Sequence, residues 1–183
     1  CLLWGGGRVP GPGNGVFFSG EVIPERMLEL DGGDAGGGYL RTALALSVLT
    51  DRAVRVENVR GDRPDPGLKP QHAAAVEAVA AICDATVDGA DLGSTTVTFE
   101  PGRAPGGSAS VEVGTAGSVT LVFDTVLPVA TALSRPVSVT VSGGTDVKWA
   151  PPLDYYCRVK LPLLARFGLD ADVTCARRGF YPA

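Results

Sequence analysis

From Met27 onward the sequence runs through one pattern of elements and then runs through it again. Asp51-Arg52-Ala53-Val54 is echoed 83 residues later by Ser134-Arg135-Pro136-Val137, and Cys83-Asp84, at the end of an apolar helical stretch, is echoed 84 residues later by Phe167-Gly168. Two offsets that agree to within one residue argue for a duplication, because each copy must bury the same face at the same places. The repeated order is strand, helix, strand, helix, strand, strand. Such a βαβαββ unit joins parallel strands through a helical crossover and leaves an apolar sheet face for its helices to cover. The expected fold class is therefore α+β, with repeated βαβαββ units whose helices pack on one face of mixed four-stranded sheets. The first unit is assigned to residues 27–104. The second, at 105–183, is expected to be incomplete and the chain a fragment, since Arg177-Arg178-Gly179-Phe180-Tyr181-Pro182-Ala183 breaks off where another element should begin.

Each element has a local cause. Leu28 and Leu30 alternate with polar neighbours as a short strand requires, and glycines between Gly32 and Gly38 punctuate it. Leu40, Ala43, Leu44, Ser47 and Val48 recur with helical period and share one face. Ala53–Val59 alternates as a strand, and Gly61–Pro70, with three prolines, is a loop. A second helix starts at Gln71 with Val76, Val79 and Cys83 on its apolar face, followed by strands near Thr86 and at Thr95–Phe99. The second copy places strands at Ser110–Val113 and Val137–Val141, and a Gly/Pro loop at Gly143–Pro152. Its helices are expected at Gly117–Ala132 and Leu153–Phe167, with a last strand near Val173.

Residues 1–26 crowd glycine and proline without any period and are expected not to fold. They lack the basic start and apolar run of a secretory signal. Met27, the only methionine, directly precedes the periodic sequence, so the preceding segment is read as a non-native or disordered leader. Apolar stretches fall short of the roughly 18 residues that span a bilayer, which points to a soluble protein without a membrane partner. Four dispersed cysteines suggest neither a zinc site nor a disulfide framework, and reduced thiols in a cytoplasmic protein are expected. The net charge of −4 removes any uniform basic field, so nucleic-acid contacts would have to come from local arginine clusters.

Five segments carry chemistry: Leu30–Thr42 (LDGGDAGGGYLRT), Arg60–His72 (RGDRPDPGLKPQH), Gly114–Pro128 (GTAGSVTLVFDTVLP), Gly143–Asp146 with Ala150–Tyr155 (GGTD and APPLDY), and Arg178–Pro182 (RGFYP). Arg41 follows the glycines in what reads as the first turn of a helix, where guanidinium and free backbone N–H groups can converge on a phosphate. Taken alone, the glycines equally suit a tight turn into a helix. Arg60 and Arg63 border a loop stiffened by Pro64, Pro66 and Pro70, an arrangement that suits anion binding or a plain solvated pair. His72, the only histidine, lies near a helix start, where the dipole favours its neutral form; it also shares a face with Val76 and Val79, as a core-edge histidine would.

Taken in order over residues 27–183, these segments resemble the first half of the RNA 3′-terminal phosphate cyclase family. The resemblance implies an ATP-dependent ligase that, with a divalent metal (Mg or Mn), converts an RNA 3′-phosphate into a 2′,3′-cyclic phosphate. A histidine takes AMP, passes it to the RNA phosphate, and the 2′-hydroxyl then displaces it. The chemical need is clear, because a phosphate monoester dianion repels nucleophiles and lacks a good leaving group. By resemblance, Arg41, Arg60, Arg63, Gln71 and His72 contact the RNA end or its phosphate. Asp124 and Pro152 lie at ATP or AMP, Pro152 as an apolar platform for adenine, and Asp34 associates with metal. The AMP-carrying histidine is expected beyond this fragment, which alone should be inactive. Asp34 stands in place of the family's Glu, Gly38 in place of its Gln, and Asp124 in place of a nucleotide-contacting Gln, which presents an acceptor-only carboxylate where ATP is expected. The alternative function is the family's non-catalytic branch, which acts in ribosomal RNA processing; the intact Arg60–His72 segment favours the cyclase. The enolpyruvyl transferases share the repeated architecture but lack these motifs.

Overall fold

A computed structural model of the 183-residue chain describes residues 2–3, 27–103, 105–114 and 117–180. Its strands are β1 (Leu2–Leu3), β2 (Leu28–Asp31), β3 (Val54–Glu57), β4 (Thr86–Asp88), β5 (Val97–Glu100), β6 (Gly107–Glu112), β7 (Val137–Ser142) and β8 (Asp172–Val173). Its helices are α1 (Gly37–Thr50), α2 (Pro70–Cys83), α3 (Val119–Ala130), α4 (Leu153–Tyr155) and α5 (Leu161–Ala165), the last two joined by a π-helical turn at Tyr156–Lys160.

The duplication is visible in the sheets. In the first, ordered β2-β3-β5-β4, β2 runs parallel to β3 with Leu28 opposite Val54, and β5 lies antiparallel between β3 and β4. In the second, ordered β6-β7-β1-β8, β6 runs parallel to β7 with Gly107 opposite Val137. Val54, Val56, Val97 and Phe99 are buried while their strand neighbours are not, and Ala109, Val111, Val137 and Val139 repeat this in the second sheet. That alternation is what an antiparallel or mixed sheet covered on one face produces. α1, α2 and α3 pack on one another as well as on the strands, so the two units share one core.

The slot that β5 fills in the first sheet is filled in the second by Leu2–Leu3, antiparallel to both β7 and β8, with Leu2 opposite Val139 and Val173. Leu2–Leu3 thus pair within the segment expected not to fold; the rest of residues 1–26 lies outside the described residues. The physical reason is that strands flanking an empty slot present unpaired N–H and C=O groups, which any extended backbone can satisfy whatever its side-chain period.

The helix expected at Leu153–Phe167 forms, but in three pieces. Pro162 lacks the N–H of a regular helix, and the preceding turn widens so that the Leu161 N–H donates to the Tyr156 carbonyl. Cys83, Cys157 and Cys175 are free thiols, and burial pushes Cys83 up to about 12. No helix among the described residues is long and apolar enough to cross a membrane.

Candidate functional site

An open cleft of about 620 Å³ lies where the N-termini of α1 and α2 meet. Its floor is the glycine turn, Gly36, Gly37 and Gly38, and its walls carry Arg41, Arg60, Arg63, Lys69, Gln71 and His72. Among the described residues no carboxylate lines it, so the field they set up inside is positive although the chain is acidic overall. The five residues expected at an RNA end are thus brought together, and Lys69, Leu121 and Trp149 join them.

The glycines have a different reason from the one their sequence suggests. None of Gly36, Gly37 and Gly38 has a positive φ. Instead, a Cβ on Gly37 would come within 2.0 Å of His72 Nε2, and one on Gly36 within 3.5 Å of an Arg63 Nη. The turn is bare so that side chains of the second loop and helix can close over it. Arg41 is the fifth residue of α1, one position past the first turn, and is half-buried. Burial pushes its pKa down and Asp124 partly restores it.

His72 is 3% exposed. Its Nδ1 accepts a hydrogen bond from the Lys69 backbone N–H at 3.1 Å, which puts the ring proton on Nε2, facing the glycine turn. Burial is the largest cause holding its pKa at about 4, followed by the charges of Arg60, Arg41 and Lys69. The ring is therefore neutral for reasons that outweigh the helix dipole invoked from sequence. Gln71 accepts the Ser118 N–H at 3.3 Å through Oε1, a bond that ties the two units together and leaves its amide NH₂ as the donor end.

The two loop arginines differ. Arg60, at a φ of 57°, donates through Nη1 to the carbonyls of Asp65 at 2.8 Å and Gly67 at 3.0 Å, so one arm of its fork holds the loop shut. Arg63 is exposed, with its guanidinium over Gly36. Lys69 is paired with Asp65 outside the cleft.

The remaining expected site residues lie elsewhere. Asp124 lines a neighbouring cleft of about 410 Å³, which shares Arg41 and Gly38 with the first. There it forms an ion pair with Lys160, whose ammonium also sits 5.2 Å from the centroid of the buried Tyr156 ring. Sequence reasoning placed Asp124 but missed its partner, because 36 residues and a π-helical turn separate them. Asp34 is exposed in a third cleft with Asp31 and Asp62, facing none of the arginines above. Pro152 is exposed at the N-cap of α4 and lines none of these three clefts. No group of three His, Cys, Asp or Glu side chains among the described residues is placed to hold a metal ion. Arg178 spans Asp146 (3.0 and 3.2 Å) and Asp154 (2.9 Å), which fastens the segments on either side of Pro152.

The family model described as RNA 3′-terminal phosphate cyclase matches residues 33–183. Among curated relatives, RNA 3′-terminal phosphate cyclases of Halobacterium salinarum (strain R1) and Methanopyrus kandleri are 52% and 49% identical over 167 and 158 residues, each covering 85% of this chain and 49% and 45% of the relative. That of Ralstonia nicotianae is 48% identical over 168 residues, covering 91% of this chain and 48% of its own length. The chain thus spans about half the length of the curated relatives it matches. Matched over most of its length by the family model and by relatives of such identity, the chain belongs to the RNA 3′-terminal phosphate cyclase family.

Proposed function

We propose that this chain supplies the RNA-end side of an ATP-dependent RNA 3′-terminal phosphate cyclase. The whole reaction turns the 3′-phosphate into a 2′,3′-cyclic phosphate through AMP held first on an enzyme histidine and then on the RNA. The observation that carries this reading is the convergence of Arg41, Arg60, Arg63, Lys69, Gln71 and His72 on one cleft at two helix N-termini, lined by no carboxylate among the described residues.

A terminal phosphate dianion in that cleft meets a guanidinium held over the glycine turn by Arg63 and a half-buried one on Arg41. Both are charge-assisted donors that neutralise the anion while it awaits adenylylation. Arg60 keeps the loop in place and adds charge. Neutral His72 contributes its Nε2–H, and Gln71 its NH₂, as donors to phosphate or ribose oxygens. The same geometry argues against His72 as the nucleophile. Its Nδ1 lone pair is taken by the Lys69 N–H and its Nε2 bears the proton, so neither nitrogen is free to attack phosphorus. The AMP-carrying histidine then belongs to the part of the relatives' length that this chain does not cover.

The Asp124–Lys160 pair and Pro152 are proposed to face the nucleotide. Lys160 supplies the donor that an aspartate lacks, so the pair together offers what a single amide would. A divalent ion, when bound, would shield the nucleotide phosphates. From this chain it would take the Asp34 carboxylate, in the cleft that also holds Asp31 and Asp62.

The test is binding of a 3′-phosphorylated oligoribonucleotide against its 3′-hydroxyl counterpart. The phosphate should strengthen binding, and Arg63→Ala should remove about tenfold, the order expected for one charge-assisted hydrogen bond. Equal affinity for the two oligonucleotides would refute the reading, as would a phosphoramidate forming on His72 with labelled ATP.

A further inference from the structure

Trp149 is 97% exposed, more than any other large hydrophobic residue among those described. It also lines the cationic cleft together with Arg41, Arg60 and Arg63. An indole wholly in water forgoes the burial that normally places tryptophan, and a φ of 65° adds backbone strain that a bulky residue rarely accepts outside functional positions. The loop that bears it is fastened on both sides. Before it, Thr145 bonds the Gly179 carbonyl through its backbone N–H at 2.8 Å and its hydroxyl at 3.1 Å. After it, the Pro151 carbonyl accepts from the Thr120 hydroxyl at 2.9 Å. The side chain is thus presented from a braced turn, with its ring almost wholly exposed.

We propose that Trp149 is the platform on which a base of the bound RNA end stacks, a reading that rests on the cleft holding the RNA 3′-phosphate. Single-stranded RNA offers a flat base next to each phosphate, and proteins that grip it combine cationic groups for the backbone with aromatic faces for the bases. The cleft supplies both within one wall-to-wall space: arginines and a neutral histidine for the anion, an indole for the base. Stacking is tolerant of base identity, so the platform sets affinity and the position of the terminal nucleotide and leaves sequence largely unread.

The experiment uses the full chain in a Trp4→Phe background, with a 5′-labelled pentaribonucleotide 3′-phosphate followed by fluorescence anisotropy and by quenching of Trp149. The expected results are quenching on binding, a loss of about tenfold or more in Trp149→Ala and Trp149→Leu, and near-normal binding in Trp149→Phe. The slope of affinity against salt should stay unchanged in the Trp149 variants and fall in Arg63→Ala, because only the arginine releases counterions. An oligonucleotide whose terminal base is replaced by an abasic ribose should bind the normal chain only as well as Trp149→Ala binds the intact one. The proposal is overturned alone if Arg63→Ala weakens binding while Trp149→Ala and the abasic probe do not, or if ATP quenches Trp149 and RNA does not. It falls together with the RNA-end reading if the folded chain shows no preference for the 3′-phosphate.

Discussion

Replacing Gly37 with alanine is the sharpest test of how the cleft is built. In an ordinary helix the change is favourable by up to about 1 kcal/mol, since alanine loses less backbone freedom than glycine. Here the added methyl would sit 2.0 Å from His72 Nε2, 2.8 Å from Cδ2 and 2.9 Å from Cε1, distances at which something must move. The imidazole is the far end of a side chain held by the Lys69 N–H and packed in the core edge, so its displacement forfeits that bond as well as its packing. Overpacking costs about 1–3 kcal/mol and a lost hydrogen bond about 1 kcal/mol, leaving a net destabilisation of about 1–3 kcal/mol after the helical gain. At about 2–4 °C per kcal/mol for a chain of this size, thermal unfolding followed by circular dichroism should move down by roughly 2–12 °C. Two comparisons make the origin specific. Gly38→Ala, whose nearest atom is an Arg41 Nη at an ordinary 3.6 Å, should be neutral or mildly stabilising. In a His72→Ala background, Gly37→Ala should change sign and become neutral or stabilising, with a coupling energy of at least about 1 kcal/mol. A destabilisation that persists undiminished without the imidazole would refute the reasoning, because the cost would then come from the turn itself.

His72 also predicts a pH dependence. Its folded pKa of about 4 lies below the ordinary histidine value of 6.5, so the unfolded chain binds the proton more readily. Stability should be full above pH 6.5 and fall as pH drops toward 4, by about 3 kcal/mol over the interval, a loss that denaturant titrations of His72→Gln should not show. Lys160→Met should destabilise by about 1 kcal/mol because it leaves Asp124 half-buried without its cation, and Asp124→Asn in the same chain should recover most of that in a double-mutant cycle. Arg178→Ala takes one guanidinium from Asp146 and Asp154 together, leaving Asp146 with the Thr145 hydroxyl and Asp154 with Arg158. Because the arginine is partly exposed, thermal unfolding should shift by only a few degrees while hydrogen exchange at Thr145 and Leu153 quickens.

The repeated unit was legible because its signals are periodic and act at short range. Alternation at Val54 and Val56 and the helical spacing of Leu40, Ala43 and Leu44 mark faces that must be buried whatever lies opposite, and they are. Element ends moved by only a few residues: α2 begins at Pro70, one residue before the expected Gln71, because proline suits the first position of a helix. What the period could not report was pairing between distant segments. The β1 slot depends on backbone groups of β7 and β8, and two residues of extended chain leave no pattern to find.

The site divides along the same line. Arg41, Arg60, Arg63, Gln71 and His72 could be named from their motifs, but their division of labour is set by contacts made in three dimensions. Arg60 looks like Arg63 in sequence, yet the carbonyls of Asp65 and Gly67 claim one of its arms. The glycines look like a phosphate cradle, yet Gly37 is held to glycine by an imidazole 35 residues away in the chain. Lys69 and Trp149 carried no periodic signal, although a tryptophan in a Gly/Pro loop outside any periodic apolar stretch is itself a cue that burial is not its purpose. A positive cleft in an acidic chain follows from this arrangement: cations from α1, the proline-braced loop and the start of α2 face inward, while Asp65, Asp124 and the carboxylates around Asp34 stay outside it. Local charge of this kind draws an anionic chain end to one place and leaves the rest of the surface unattractive to it, which a uniformly basic protein could not do.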